Sequence, residues 1–144
     1  MGQINQILRD VQRCGRLYRE EKLAPLGLTA RHGLYLREIG DAPGISQEQL
    51  AQRLRLNKSN VARQAAALEE EGYIRRCPCG KDKRVLRLHL TEKATALLPA
   101  IEEVTLSWEQ QLVKGLTDSE QQILEILLQR LRGNAQAASE EEAV

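Results

Sequence analysis

The chain has 144 residues, 42% apolar and 28% charged, the make-up of one globular domain able to bury a core without disulfides or metals. No stretch approaches the ~20 apolar residues of a membrane span, and the start MGQINQILRDVQR is too polar for a signal peptide; with three cysteines, this is the pattern expected of a cytoplasmic chain with free thiols. The net charge of +1 excludes a uniform polycation, yet residues 53–93 hold 11 of the 21 Lys and Arg and only 5 of the 20 acids, a basic block of +6 that suits an anionic partner.

With no Phe and 3% aromatics, the core must be aliphatic. Ile4, Ile7, Leu8, Val11, Cys14 and Tyr18 form a helical stripe, which assigns Cys14 to buried packing. Pro25 and Gly27 end that first helix. Thr29 is placed to cap a second, ARHGLYLREIG, and Ser46 with Gln49 forms a capping box opening a short third. Asn57 caps a fourth, KSNVARQAAALEEE, and Gly72 stands where a left-handed C-terminal cap belongs.

Two short strands follow, YIRRC and VLRLHL. In the second, Leu86, Leu88 and Leu90 alternate with Val85, Arg87 and His89, which predicts one buried and one wet face. Between the strands, Gly80 is the expected permissive residue of the tip. Thr91 caps a long helix that Pro99 should kink, and Thr117 with Glu120 opens the last helix. The expected fold is mainly α, an α+β winged helix-turn-helix over 29–90 with a β-hairpin wing. Dimerisation helices at 1–24 and 91–133 flank it within a single domain at 1–144, and 134–144 is an acidic tail expected to be flexible.

At 100° per residue, Val61, Ala65 and Leu68 lie within about 60° of one another as the core stripe of the fourth helix. Ser59, Arg63 and Ala66 point away, with Asn60 and Ala67 beside them. Arg pairs with guanine, Asn with adenine and Ser with either, while Ala lets a backbone come close, so this face suits a DNA major groove. Lys58 and Gln64, at its edges, suit phosphates. A merely solvated polar face has the same pattern, and Glu69, Glu70 and Glu71 at the far end look hostile to DNA.

The octapeptide CPCGKDKR, residues 77–84, places Lys81, Lys83 and Arg84 on the wing tip with Arg76 behind, and Asp82 two residues from Arg84. A narrow cationic ribbon fits a minor groove or phosphates. Cys77 and Cys79 are spaced C-x-C with no second pair, which argues against zinc, and no metal or cofactor is expected. As thiols beside cations they are candidates for oxidation. An enzyme is not expected either: His32 and His89 lie near no Ser or Cys nucleophile, and no Gly-rich phosphate loop is present.

Over residues 45–98 the sequence resembles the multiple antibiotic resistance regulator (MarR) family, through LAQRL, NKSNVARQAAALEEEGYI, the DKR of the wing and LTEKA. The resemblance implies a homodimeric transcription regulator, usually a repressor, binding a palindromic double-stranded operator. By position it implies major-groove roles for Ser59, Asn60, Arg63 and Gln64, helix entry for Lys58, and a minor-groove role for Arg84 beside Asp82. The family also implies release by a small aromatic or phenolic ligand, with Arg13, Arg16, Tyr18, His32 and Tyr35 as a possible pocket. CPCGK departs from the family pattern and leaves wing length and oxidant response open. A winged-helix protein–protein adaptor is the alternative that needs no DNA.

Overall fold

The computed structural model describes residues 2–78 and 80–142, and its helices begin where the caps predict. Thr29 accepts the His32 N–H at 3.1 Å while the His32 ring accepts the Thr29 N–H at 3.3 Å, opening α2, Ala30–Asp41. Ser46 and Gln49 exchange the same two bonds at 3.0 and 3.1 Å, opening α3, Gln47–Leu54. Asn57 accepts the Ser59 N–H at 2.8 Å and opens α4, Lys58–Glu70. These bonds satisfy amides that a helix start otherwise leaves orphaned. Gly72, at φ 85°, takes the left-handed turn after α4 that a side-chain-bearing residue resists.

Ahead of these lies α1, Gln3–Leu23, which ends in a 3-10 turn at Ala24–Leu26. After them come β1, Ile74–Pro78, and β2, Leu86–Leu90, paired antiparallel with Arg76 opposite Leu88 and Cys77 opposite Arg87. α5, Glu92–Leu112, runs unbroken through Pro99. α6 is Asp118–Glu142, opened by the Thr117–Glu120 box at 2.9 and 3.1 Å. The chain divides into two compact units, one up to Trp108 and one from Glu109 onward.

Among the described residues, all the buried apolar side chains lie from Leu23 to Ile101. Tyr35, Leu36 and Ile39 of α2 meet Leu50 of α3, Val61, Ala65 and Leu68 of α4, Ile74 and Leu88 of the hairpin, and Ile101 of α5. The core is aliphatic apart from two tyrosines, so its cohesion comes from area removed from water rather than ring stacking. Gly15 allows a tight approach between α1 and α5, since a Cβ there would stand 3.0 Å from the Trp108 ring.

Three expectations need correction. Only Leu88 of β2 is buried, and Arg87 and His89 are half-covered rather than wet. The cause is the segment 44–46, which bridges β2 at Arg87: Gly44 N–H donates to the Leu88 carbonyl at 2.9 Å, Leu88 N–H donates to that of Ile45 at 2.8 Å, and Arg87 donates to the Gly44 carbonyl at 2.9 Å. The hydrogen-bonded turn of the wing falls at Asp82–Val85 rather than at Gly80: Val85 N–H reaches the Asp82 carbonyl at 3.1 Å. Cys14 is exposed, because of α1 only Gly15 and Leu23 are buried. Residues 134–142 belong to helix α6: Ala, Gln and Glu are good helix formers, and Gly133 alone costs only about 1 kcal/mol.

Candidate nucleic-acid interface

α4 rests on Val61, Ala65 and Leu68, each at most 1% exposed, which turns Ser59 and Arg63 outward. Arg63 has no ion-pair partner among the described residues. The Ser59 hydroxyl bonds Asn57, the cap of its own helix. Lys58 lies 2.8 Å from Glu48 of α3, an exposed pair of the kind worth at most about 1 kcal/mol, so a phosphate can displace the carboxylate. The N-terminus of α4 thus presents a guanidinium, a hydroxyl, an ammonium and the positive end of the helix dipole on one side.

Asn60 and Gln64 do not share that side. They are half-buried one turn apart, facing a cavity of about 920 Å³ together with Leu56. The wheel contains the reason: both lie only 60–100° from Val61, close enough to the core stripe for neighbouring helices to cover them. Four arginines also line the cavity, Arg16 and Arg19 of α1 and Arg31 and Arg37 of α2, against one acid, Glu20. Leu23, Ile101, Val104 and Trp108 supply apolar wall.

Among the residues expected in a ligand pocket, Arg16, His32 and Tyr35 line this cavity. Arg13 and Tyr18 do not: Arg13 is on the exposed side of α1, and the Tyr18 hydroxyl bonds Ser107 at 2.5 Å, with its ring 5.2 Å from that of Trp108. Tyr35 is 1% exposed, and its hydroxyl has no hydrogen-bond partner among the described residues. Burial pushes its phenol pKa up, with Arg31 pulling the other way. Sequence reasoning missed Arg19, one turn beyond Arg16, and Trp108 of α5.

On the wing, Arg84 is 92% exposed, and both its backbone N–H and its Nε donate to Asp82 Oδ1, at 3.0 and 3.1 Å. The guanidinium holds the Asp82 carboxyl below the usual range, and the carboxylate in turn fixes the Arg84 side chain at the turn. Lys81 and Lys83 have no ion-pair partner among the described residues. Arg76, expected among these cations, is turned inward to Glu69 of α4, 3.2 Å from Nη2 to Oε1. Glu71 faces His32 at 3.6 Å. Two of the three acids that looked hostile to DNA are therefore occupied within the fold. Cys77 is exposed on β1, and Cys79 lies outside the described residues. Among those residues no group of three His, Cys, Asp or Glu is placed to hold a metal ion, and no helix is long and apolar enough to cross a membrane.

The MarR family model matches residues 26–85, the span from the end of the 3-10 turn before α2 to the wing. Over 134 residues the chain is 30% identical to the uncharacterized HTH-type transcriptional regulator YybA of Bacillus subtilis (strain 168), covering 91% of this chain and 89% of that protein. A MarR transcriptional regulator from Methanosarcina mazei Go1 has a similar structure, with a TM-score of 0.88 and 27% identity over 96% of this chain and 99% of that one. A mutant MarR from E.coli complexed with operator DNA matches with a TM-score of 0.81 and 26% identity, over 89% of this chain and 92% of that one. These likenesses run nearly the full length of both partners, and the chain belongs to the MarR family of winged-helix transcription regulators.

Proposed function

We propose that two copies of this chain bind a palindromic DNA duplex as a repressor, each setting α4 in a major groove and its wing in the adjacent minor groove. The observation that carries this reading is the outer face of α4, with Ser59 and Arg63 exposed over a fully buried Val61–Ala65–Leu68 seam. Side chains anchored from below and free above can meet base edges without unfolding anything. Arg84 supplies the wing contact, and Lys58, Lys81 and Lys83 the phosphate contacts. The similar MarR mutant from E.coli complexed with operator DNA supports DNA as the partner. Half-sites read by a twofold dimer fall about one helical turn, ~10 base pairs, apart.

The test is selection from a random duplex pool followed by titration of variants. Arg63→Ala should cost about 1–3 kcal/mol and relax preference at one base position, whereas Lys81→Ala should weaken all sequences alike and flatten the salt dependence by one contact. Uniform losses for both remove α4 as the reader. A chain that binds no duplex at any salt concentration is a protein–protein adaptor instead.

A second reading concerns release. The buried, unpartnered Tyr35 hydroxyl and four arginines around an apolar-walled cavity favour a small aromatic anion as effector. Asn60 and Gln64 then belong to the ligand's side of α4 rather than to base readout. Because Trp108 is the only tryptophan and lines this cavity, its fluorescence reports occupancy. An aromatic carboxylate that quenches it should also weaken duplex binding, and one that quenches it without doing so is no effector.

A further inference from the structure

Arg76 carries the charge of a DNA contact but is engaged within the fold. Its backbone N–H donates to Glu69 Oε2 at 2.8 Å, its Nε donates to Glu69 Oε1 at 3.2 Å, and Nη1 reaches Gln47 Oε1 at 3.4 Å. The backbone bond is the first cause, ahead of the guanidinium, that holds the Glu69 carboxyl below the ordinary range. Glu69 lies in the last turn of α4, Gln47 is the first residue of α3, and Arg76 is the central residue of β1. One side chain thus joins both helices of the helix-turn-helix to the wing, using the rigid fork that a lysine lacks.

The wing needs such a fastening. It is a two-stranded hairpin in which β2 is tied down by Leu88, Leu90 and the backbone bonds to Gly44 and Ile45, whereas β1 buries Ile74 alone, and an isolated hairpin is marginal in water. Beyond Arg76, Cys77 and Pro78 are exposed, and β1 makes no further side-chain hydrogen bond among the described residues. Any tilt of β1 against α4 would be magnified at Arg84, on the far side of the turn.

We propose that Arg76, gripped by Glu69 and Gln47, is a positioning residue that sets the angle between wing and reading helix. That angle lets Ser59 and Arg63 in one groove and Arg84 in the next engage the same duplex together. The inference rests on the DNA reading above, and it gives the Glu69 carboxylate, an acid close to a polyanion, a positive role in binding. The pair is partly exposed, 25% for Arg76 and 38% for Glu69, so its contribution is direction rather than great strength.

The two explanations of Glu69 predict opposite signs. The experiment measures anisotropy of the labelled duplex that the wild-type chain enriches from a random pool. If Glu69 only repels phosphates, Glu69→Gln should tighten binding; if it grips Arg76, Glu69→Gln should weaken it about tenfold, the scale of coupling within one network. Arg84→Ala should cost roughly tenfold in the wild-type chain and less than twofold in the Glu69→Gln background, since a mis-set wing no longer reaches its groove. Arg76→Ala should behave as Glu69→Gln does. Were Arg76 a direct phosphate contact, its loss would lower the salt slope by about 0.9 and leave the cost of Arg84→Ala intact. Should Arg76→Ala fail to fold by circular dichroism, Glu69→Gln, with its shape retained, decides alone. Tighter or unchanged binding by Glu69→Gln, or strictly additive losses, overturns the proposal while leaving DNA binding in place. A wild-type chain that enriches no duplex removes the DNA reading first, and this inference with it.

Discussion

Residues 29–90 and the two chain ends use the same aliphatic side chains at the same three- and four-residue spacing, and finish in opposite states. Leu36, Ile39, Leu50 and Leu88 are each 0% exposed, whereas Ile4, Ile7, Ile123 and Ile126 are 57–63% exposed. In the winged helix every apolar face meets another from the same chain: α2, α3, α4 and the hairpin close on a shared core. In the N-terminal half of α1 and along α6 the faces are as regular but bare. Contiguous exposed aliphatic area of that kind marks a surface meant for a partner, and in a homo-oligomer the commonest partner is a second copy across a twofold axis. A helical stripe therefore announces that something covers it, without saying whether the cover is in the same chain.

The contrast can be tested most sharply in the closed core. Leu36→Ala, at a site with no solvent contact, should cost about 2–5 kcal/mol in denaturant unfolding, from lost transfer energy plus a cavity; a loss under 1 kcal/mol would mean that the core is looser than its burial indicates. Leu127→Ala, on the bare face of α6 where Leu127 is 48% exposed, should weaken dimer association by about 1–3 kcal/mol in sedimentation equilibrium. If that face stays in water, the change should be within ~0.5 kcal/mol, and the comparison between the two regions then loses its meaning.

The smallest effect sits between them, at the cavity. Tyr35→Phe removes a buried hydroxyl that has no partner, so the unliganded chain should melt unchanged or up to ~1 kcal/mol more stable, because no hydrogen bond is lost and a desolvated polar group is removed. The same change should weaken an aromatic anion's quenching of Trp108. A destabilised Tyr35→Phe chain would show that the hydroxyl is satisfied in solution and is not reserved for an occupant.

Much of this is legible in the sequence. Thr29, Ser46, Asn57 and Thr117 each cap the helix their spacing announces, because a cap is a contact over two or three residues and needs no tertiary partner. The seam of Val61, Ala65 and Leu68 was equally readable from period alone. The site was less legible. Ser59, Arg63 and Arg84 face outward as expected, but Asn60 and Gln64 sit on a cavity wall, Arg76 on Glu69, and Arg13 and Tyr18 off the cavity. A wheel ranks angles on one helix; it does not place α1 and α5 against that helix's flank.

The sequence by itself determined where helices start and stop, which seam of each is apolar, and that a basic block lies in the middle of a near-neutral chain, because those properties are set by neighbours a few residues away. Only the tertiary structure decided which polar residues are free. Glu69 and Arg76 lie seven residues apart in two different elements, and Gly44 covers Arg87 across 43 residues. Whether a charge faces water, another charge or a cavity depends on chain brought close by folding, and no local pattern records that distance.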